Sequence, residues 1–185
     1  MLLNTHTGER LDLVVRADGV PRPEALPHID HLLRDHRNDA THRIATGVID
    51  QLLGMRNALE LTAPFHVISA YRSPATNARL AAASNGVARD SLHLTGRAID
   101  IRVPGLALTR LHAAALALQA GGVGFYARSD FVHLDTGRVR TSWSPATPCE
   151  PGQKLQRQRA APTPGFRPAP QRARARYGLW VFAAS

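Results

Sequence analysis

Ser91-Leu92-His93-Leu94-Thr95-Gly96-Arg97-Ala98-Ile99-Asp100 is the stretch on which the reading of this chain turns. A histidine in a loop is followed, seven positions on, by an aspartate inside the apolar run Ala98 to Val103. An aspartate between Ile99 and Ile101 is costly to bury unless it is paired or holds a metal. Downstream, Phe131-Val132-His133-Leu134-Asp135 sets a second histidine in another apolar strand. If the two strands are neighbours, His93, Asp100 and His133 converge. Two neutral imidazoles and a carboxylate suit Zn²⁺ at about 2.0–2.2 Å and leave a fourth position for water, the layout of a catalytic rather than a structural site. Spacing by itself leaves another reading open, because an aspartate paired with Arg97 or Arg102 explains the same pattern.

Outward from this stretch, the chain alternates short strands and helices. Phe65–Ala70 reads as a buried strand. Ser73-Pro74 opens a helix running to about Ala83, with serine as N-cap and proline at the first helical position, and Ser84-Asn85-Gly86 ends it. Leu108–Gln119 has a helical apolar period and stops at Gly121-Gly122. Val123–Tyr126 and Phe131–Asp135 are strands joined by a turn at Ala127–Asp130. Toward the N-terminus, Pro23 to about Arg37 and Ile44 to Leu61 carry apolar residues at helical spacing. Leu2–Asn4 and Leu11–Val15 flank Thr7-Gly8-Glu9 as a hairpin, and Ala17-Asp18-Gly19 marks a second turn. Such an order predicts an α+β fold with a small, mostly antiparallel sheet packed with helices.

Composition narrows the function. The 185 residues include one cysteine, Cys149, so an internal disulfide and a cysteine-based zinc cluster are excluded. No apolar run approaches the ~20 residues of a membrane-spanning helix. The net charge is +9, which suggests nucleic acid at first sight. The charge is unevenly placed: residues 1–144 carry 16 arginines and 13 acids, whereas residues 145–185 carry seven basic residues and one acid, Glu150. The body is therefore nearly balanced, and aromatic residues are only 5% of the chain. Stacking platforms for nucleic acid are scarce, and no nucleic-acid partner is expected. Pro145 to Arg176 is rich in Pro, Gln, Ala and Arg without an apolar period, and is expected to be disordered. The domain division is thus 1–144 for the folded body and 145–185 for a basic extension whose charge suits an anionic surface such as cell-wall polymer, lipid headgroups or nucleic acid. The first residues lack the pattern of a secretory signal.

His93-x-x-Gly96-x-Ala98-x-Asp100 resembles the H-x-x-G-x-A-x-D signature of the zinc D-Ala-D-Ala peptidases that share the hedgehog fold. Ser91 and Tyr71-Arg72-Ser73 also match that clan. The closer similarity is to the MepK-like family of murein endopeptidases, carried by Asn4–Glu9, Ile68–Asn77, Gly86–Asp100, Gly121–Tyr126 and Phe131–Trp143 in the same order and with similar gaps. It covers about residues 2 to 143. The resemblance implies a hedgehog/DD-peptidase-like fold, zinc held by His93, Asp100 and His133, and hydrolysis of peptidoglycan stem-peptide cross-links where two meso-diaminopimelate residues are joined. A bacterial periplasmic setting follows from that substrate. It also implies that Arg72 clamps a peptide carboxylate or stabilises an oxyanion, and that Ser91 hydrogen-bonds the substrate backbone. Two acids compete for general base. Asp130 precedes the third ligand by three residues, where the wider clan commonly has an acid. Asp135 lies two residues after His133 and so shares its strand face. Related readings are a carboxypeptidase of the same clan and a non-catalytic zinc-stabilised module that binds cell wall.

The remaining histidines carry less. His28 and His31 are three apart on a predicted helix and His36 follows, but no carboxylate or cysteine pattern completes a site. His6 and His66 have no evident partners.

Overall fold

A computed structural model of the chain describes residues 1–17, 20–83 and 90–143. The helix stop at Ser84-Asn85-Gly86 and the 145–185 extension lie outside the described residues.

Seven strands form one mixed sheet: β1 (Leu2–Asn4), β2 (Arg10–Leu11), β5 (Phe65–Ser69), β6 (Ala98–Arg102), β7 (Gly122–Tyr126), β8 (Phe131–Asp135) and β9 (Arg140–Trp143). Their spatial order is β2-β1-β5-β6-β8-β7-β9. The β1–β2, β5–β6, β6–β8 and β7–β8 pairs are antiparallel, while β1–β5 and β7–β9 are parallel. A separate small hairpin joins β3 (Arg16–Ala17) and β4 (Val20–Pro21). The helices are α1 (Leu26–Leu32), α2 (Thr46–Ala58), α3 (Pro74–Ala83) and α4 (Leu108–Ala117). The expected α+β class, with a mostly antiparallel sheet, is observed.

Strict alternation divides the sheet into two faces. Ile99, Ile101, Val132 and Leu134 are at most 1% exposed and turn to one side. There they meet Val48, Leu52 and Met55 of α2 and Leu111 and Ala115 of α4 in a single apolar core. Side chains two residues apart share a face, so Ala98 and Asp100 on β6, and Phe131, His133 and Asp135 on β8, all turn the other way. On β7 this second face carries Gly122, Gly124 and Tyr126. The register places Asp100 opposite His133 and His133 opposite Gly124. Three adjacent strands thus bring the chemistry to one line.

A bulge in β5 completes that line. Val67 pairs with Ile101, but Ser69 rather than Ile68 faces Asp100. One extra residue re-aims the strand end, so the hydroxyl of Ser69 instead of the branched alkyl group of Ile68 pairs opposite the buried carboxylate.

Several boundaries differ from the sequence expectation. The helix expected over Pro23–Arg37 is a 3-10 turn, Pro23–Ala25, followed by α1, which stops at Leu32. The chain is diverted there because Asp35 turns inward to pair with Ser73, and its backbone bridges to Ala40. The second hairpin strand expected over Leu11–Val15 is confined to Arg10–Leu11. Leu13 and Val14 instead lie exposed between the two hairpins. Strand β9 has no counterpart in the sequence reading.

Candidate metal centre

His93 sits on a 3-10 turn, Leu92–Thr95, that the sequence builds locally. Ser91 is its N-cap, accepting the His93 backbone N–H on its hydroxyl at 3.4 Å. Gly96 ends the turn in the left-handed region at φ 63°. A Cβ there would run into the Arg43 carbonyl, so both conformation and space call for glycine. Ala98 then starts β6 directly opposite Asp135. The spacing H-x-x-G-x-A-x-D is therefore a turn, its left-handed stop, a small residue and a strand-borne carboxylate.

The imidazole of His93 is 2% exposed and donates from Nδ1 to the Ala70 carbonyl at 2.6 Å. That bond leaves the Nε2 lone pair facing inward. His133 is held from its other side: Nε2 donates to Asp135 Oδ2 at 3.2 Å, so Nδ1 presents its lone pair. Asp100, 5% exposed, places Oδ1 between the two rings. The three atoms form a triangle: 3.3 Å from His93 Nε2 to His133 Nδ1, 3.4 Å from His93 Nε2 to Asp100 Oδ1, and 2.8 Å from His133 Nδ1 to Asp100 Oδ1. Tetrahedral coordination at ~2.0–2.1 Å has edges of about 3.3–3.4 Å. Three lone-pair donors converge with no hydrogen between them in these tautomers, an arrangement able to hold a metal ion. Among the described residues, this is the group of histidine and carboxylate donors close enough to hold one.

Burial lowers the basicity of His133, but its bonds to Asp100 and Asp135 outweigh burial and raise its pKa to about 9. Burial likewise opposes ionisation of Asp100, yet the neighbouring imidazoles hold its carboxyl well below the ordinary range. His93, whose largest influence is burial, is pushed down.

The sequence left Asp100 paired with Arg97 or Arg102 as an alternative. Neither arginine does this: Arg97 bonds Thr136, and Arg102 bonds Asp130 at 3.2 Å. The guanidinium beside Asp100 belongs to Arg72, whose Nη2 donates to Oδ2 at 3.2 Å while Nε donates to Ser69 Oγ at 3.1 Å. Arg72 thus stands at the centre, and Ser91 supports it from below as a cap. The two candidate bases part ways. Asp130, with a left-handed backbone at φ 53°, has a 63% exposed side chain tied to Arg102. Asp135 bonds His133 through one oxygen and the Gly122 and Gly137 backbone N–H groups through the other.

Sequence reasoning missed three supporting residues. Asp35, 1% exposed, accepts the Ser73 backbone N–H and hydroxyl at 2.9 and 2.7 Å, and so anchors the segment that carries Arg72. Gln51, on the buried side of α2, donates to the Ala120 and Asp135 carbonyls and ties the end of β8 to the loop before β7. Tyr126 stacks on Phe131 at 4.5 Å on the site face. Burial first, then the Asp100 charge, lifts its phenol to about 12. An apolar-faced glutamine was the one signal available for Gln51; nothing local marked the others. His31 approaches Glu9 and His6 stacks on His36, away from the centre.

Comparison with known proteins agrees with this geometry. A family model described as peptidoglycan L,D-endopeptidase MepK matches residues 1–143. The peptidoglycan L,D-endopeptidase MepK of Escherichia coli K12 is 42% identical over 139 residues, covering 75% of this chain and 76% of that protein. The probable peptidoglycan L,D-endopeptidase MepK of Haemophilus influenzae is 39% identical over 139 residues, 75% of each chain. No solved structure matches. With a buried His-Asp-His donor set on one sheet face and a family match spanning the folded body, the chain belongs to the peptidoglycan L,D-endopeptidase MepK family of metallopeptidases.

Proposed function

We propose that the chain is a zinc-dependent murein endopeptidase that hydrolyses peptidoglycan cross-links between two meso-diaminopimelate residues in the periplasm. The observation that carries this reading is the triangle of donor atoms from His93, Asp100 and His133, two of whose edges, 3.3 and 3.4 Å, match those of a tetrahedral ion and whose third, 2.8 Å, is shorter. Family membership supports the stem-peptide substrate. Bound zinc supplies Lewis-acid polarisation of the scissile carbonyl and a water made nucleophilic near neutral pH.

The protein's residues do the rest. His93, Asp100 and His133 hold the ion. Arg72 spends two of its five N–H groups on Ser69 and Asp100, and orients a substrate carbonyl or carboxylate with its outer edge. Ser91 keeps His93 in place and offers its hydroxyl to the peptide backbone. Asp130 takes the proton of the attacking water and passes it to the leaving amine; Arg102 engages its Oδ2 at 3.2 Å and its side chain is otherwise exposed. Of the two acids it is the better suited, because both oxygens of Asp135 are already engaged. Gly124, paired with His133 across the sheet, carries no side chain on the site face. The basic 145–185 extension serves as a tether to anionic envelope polymer.

Incubation with cross-linked muropeptide dimers, with and without added zinc, followed by mass spectrometry of the products, tests the reading. Zinc-dependent conversion to monomers is expected. Loss of a terminal D-amino acid alone would assign a carboxypeptidase, and bound zinc without hydrolysis would assign a binding module. Asp130→Asn should lower turnover by about 10²–10⁴-fold while zinc stays bound.

A further inference from the structure

We infer that Asp135 is a positioning residue: it fixes the His133 ring so that Nδ1 faces Asp100 and His93. The inference rests on the metal reading above and gives Asp135 a role other than carrying protons.

The geometry is specific. Asp135 Oδ2 receives the His133 Nε2 proton at 3.2 Å. Oδ1 receives backbone protons from Gly122 at 3.1 Å and Gly137 at 2.7 Å. The carboxylate therefore has three donors from three directions, which fix its plane as well as its charge. The neighbouring chain is shaped to admit it. A Cβ on Gly122 would fall on the carboxylate, one on Gly121 on the Asp135 carbonyl, and one on Gly137 at 2.8 Å from Oδ1. Ala98, opposite Asp135 across the sheet, is also small. From behind, Gln51 holds the Asp135 carbonyl at 2.9 Å. Glycines on both sides of the sheet position thus form a cradle for one carboxylate, and that carboxylate has one side chain to act on. Two residues apart on β8, Asp135 and His133 share a face, so the bond needs no distortion of the strand.

A hydrogen bond at one imidazole nitrogen decides which nitrogen is available for a metal. Histidine ligands oriented by a carboxylate lose about 10–100-fold in metal affinity or activity when that partner is changed. Asparagine at 135 is nearly isosteric. Its carbonyl would stay with the two backbone N–H groups, so its NH₂ would turn toward His133 Nε2. A donor would then face a donor. The ring would have to move its proton to Nδ1, the atom facing Asp100.

Zinc affinity of wild type and Asp135→Asn, measured by competition with a chromophoric chelator, tests this. A 10–100-fold weaker affinity is expected for the variant. Long-range ¹⁵N–¹H spectra of the zinc-loaded wild type should show the His133 proton on Nε2, slowly exchanging. Unchanged affinity in Asp135→Asn, with turnover down 10²–10⁴-fold, would make Asp135 the base and overturn the inference. If the variant does not fold, the wild-type spectrum decides, and a His133 proton on Nδ1 overturns it. A wild type that binds no zinc would overturn the metal reading itself; a wild type that binds zinc beside a variant that binds it equally well would overturn the positioning role alone.

Discussion

Replacing Asp35 with alanine should destabilise the protein by about 3–4 kcal/mol. Asp35 is 1% exposed and far from the centre in sequence, yet it accepts the Ser73 N–H at 2.9 Å, the Ser73 hydroxyl at 2.7 Å and the Arg37 N–H at 3.1 Å. Burial alone would raise its carboxyl, but donors from Thr76, Ser73 and Arg37 hold it below the usual carboxylate range. A hydrogen bond contributes roughly 0.5–1.5 kcal/mol net, and one to a charged group about 1.5–3. Three lost bonds at about 1–1.5 kcal/mol each, after allowing for the relief of a buried charge, give the stated loss. Against a typical stability of about 5–15 kcal/mol the variant still folds. With a urea slope of ~2 kcal/mol/M, its midpoint should fall by about 1.5–2 M. Asp35→Asn keeps one acceptor and should lose about half as much. Ser73→Ala combined with Asp35→Ala should cost about 1 kcal/mol less than the two changes added, because both remove the same bond from the Ser73 hydroxyl to Asp35. Activity should fall as well, since the anchored segment carries Arg72 to Asp100. A loss below about 1 kcal/mol in Asp35→Ala, or strict additivity with Ser73→Ala, would refute the anchoring argument.

Other expectations are simpler to state. Gly122→Ala puts a methyl group onto the Asp135 carboxylate and should cost about 1–3 kcal/mol in urea denaturation, as overpacking does; a change within 0.5 kcal/mol would show that the cradle has slack. His36 has its pKa lowered to about 4, by burial first and then by His6 and Arg37, against Asp35. Its folded-state value lies below the ordinary 6.5, so the stability it contributes is present above that pH and is lost as pH falls toward 4. His36→Gln should flatten this part of the stability–pH curve, and an identical curve would count against the assignment. Removing zinc with a chelator should withdraw about 2.7 kcal/mol relative to protein held at 100 times its Kd in free zinc, and Asp100→Asn should be insensitive to the chelator. The family match ends at residue 143, so truncation after Trp143 should leave stability within about 0.5 kcal/mol; a much larger loss in a thermal melt would mean that the extension packs on the body.

Local pattern carried the His93, Asp100 and His133 group far. The alternation in Ala98–Arg102 and Phe131–Asp135 identifies two half-apolar strands, because side chains on a strand alternate whatever the rest of the chain does. Polar residues at Asp100 and His133 then stand out as breaks in an apolar context. His93 and Gly96 were legible for the same reason: a capped turn and its left-handed stop are built from adjacent residues, and the family motif records them. Tertiary structure decided what those residues do to one another. Only the bulge in β5 chose Ser69 over Ile68 as the neighbour of Asp100, and only the sheet order gave Asp100 to Arg72 instead of the nearer Arg97 and Arg102. The turn of Asp35 toward Ser73, 38 residues away, cut short a helix whose periodicity ran on. The division between Asp130 and Asp135 is of this kind too: both flank His133 in sequence, and the closing of β7 beside β8 brings the Gly122 N–H to just one of them. Periodicity reports the environment of a residue, apolar or not. Which donor meets which acceptor depends on register and on contacts between distant segments, and those exist only once the strands have paired.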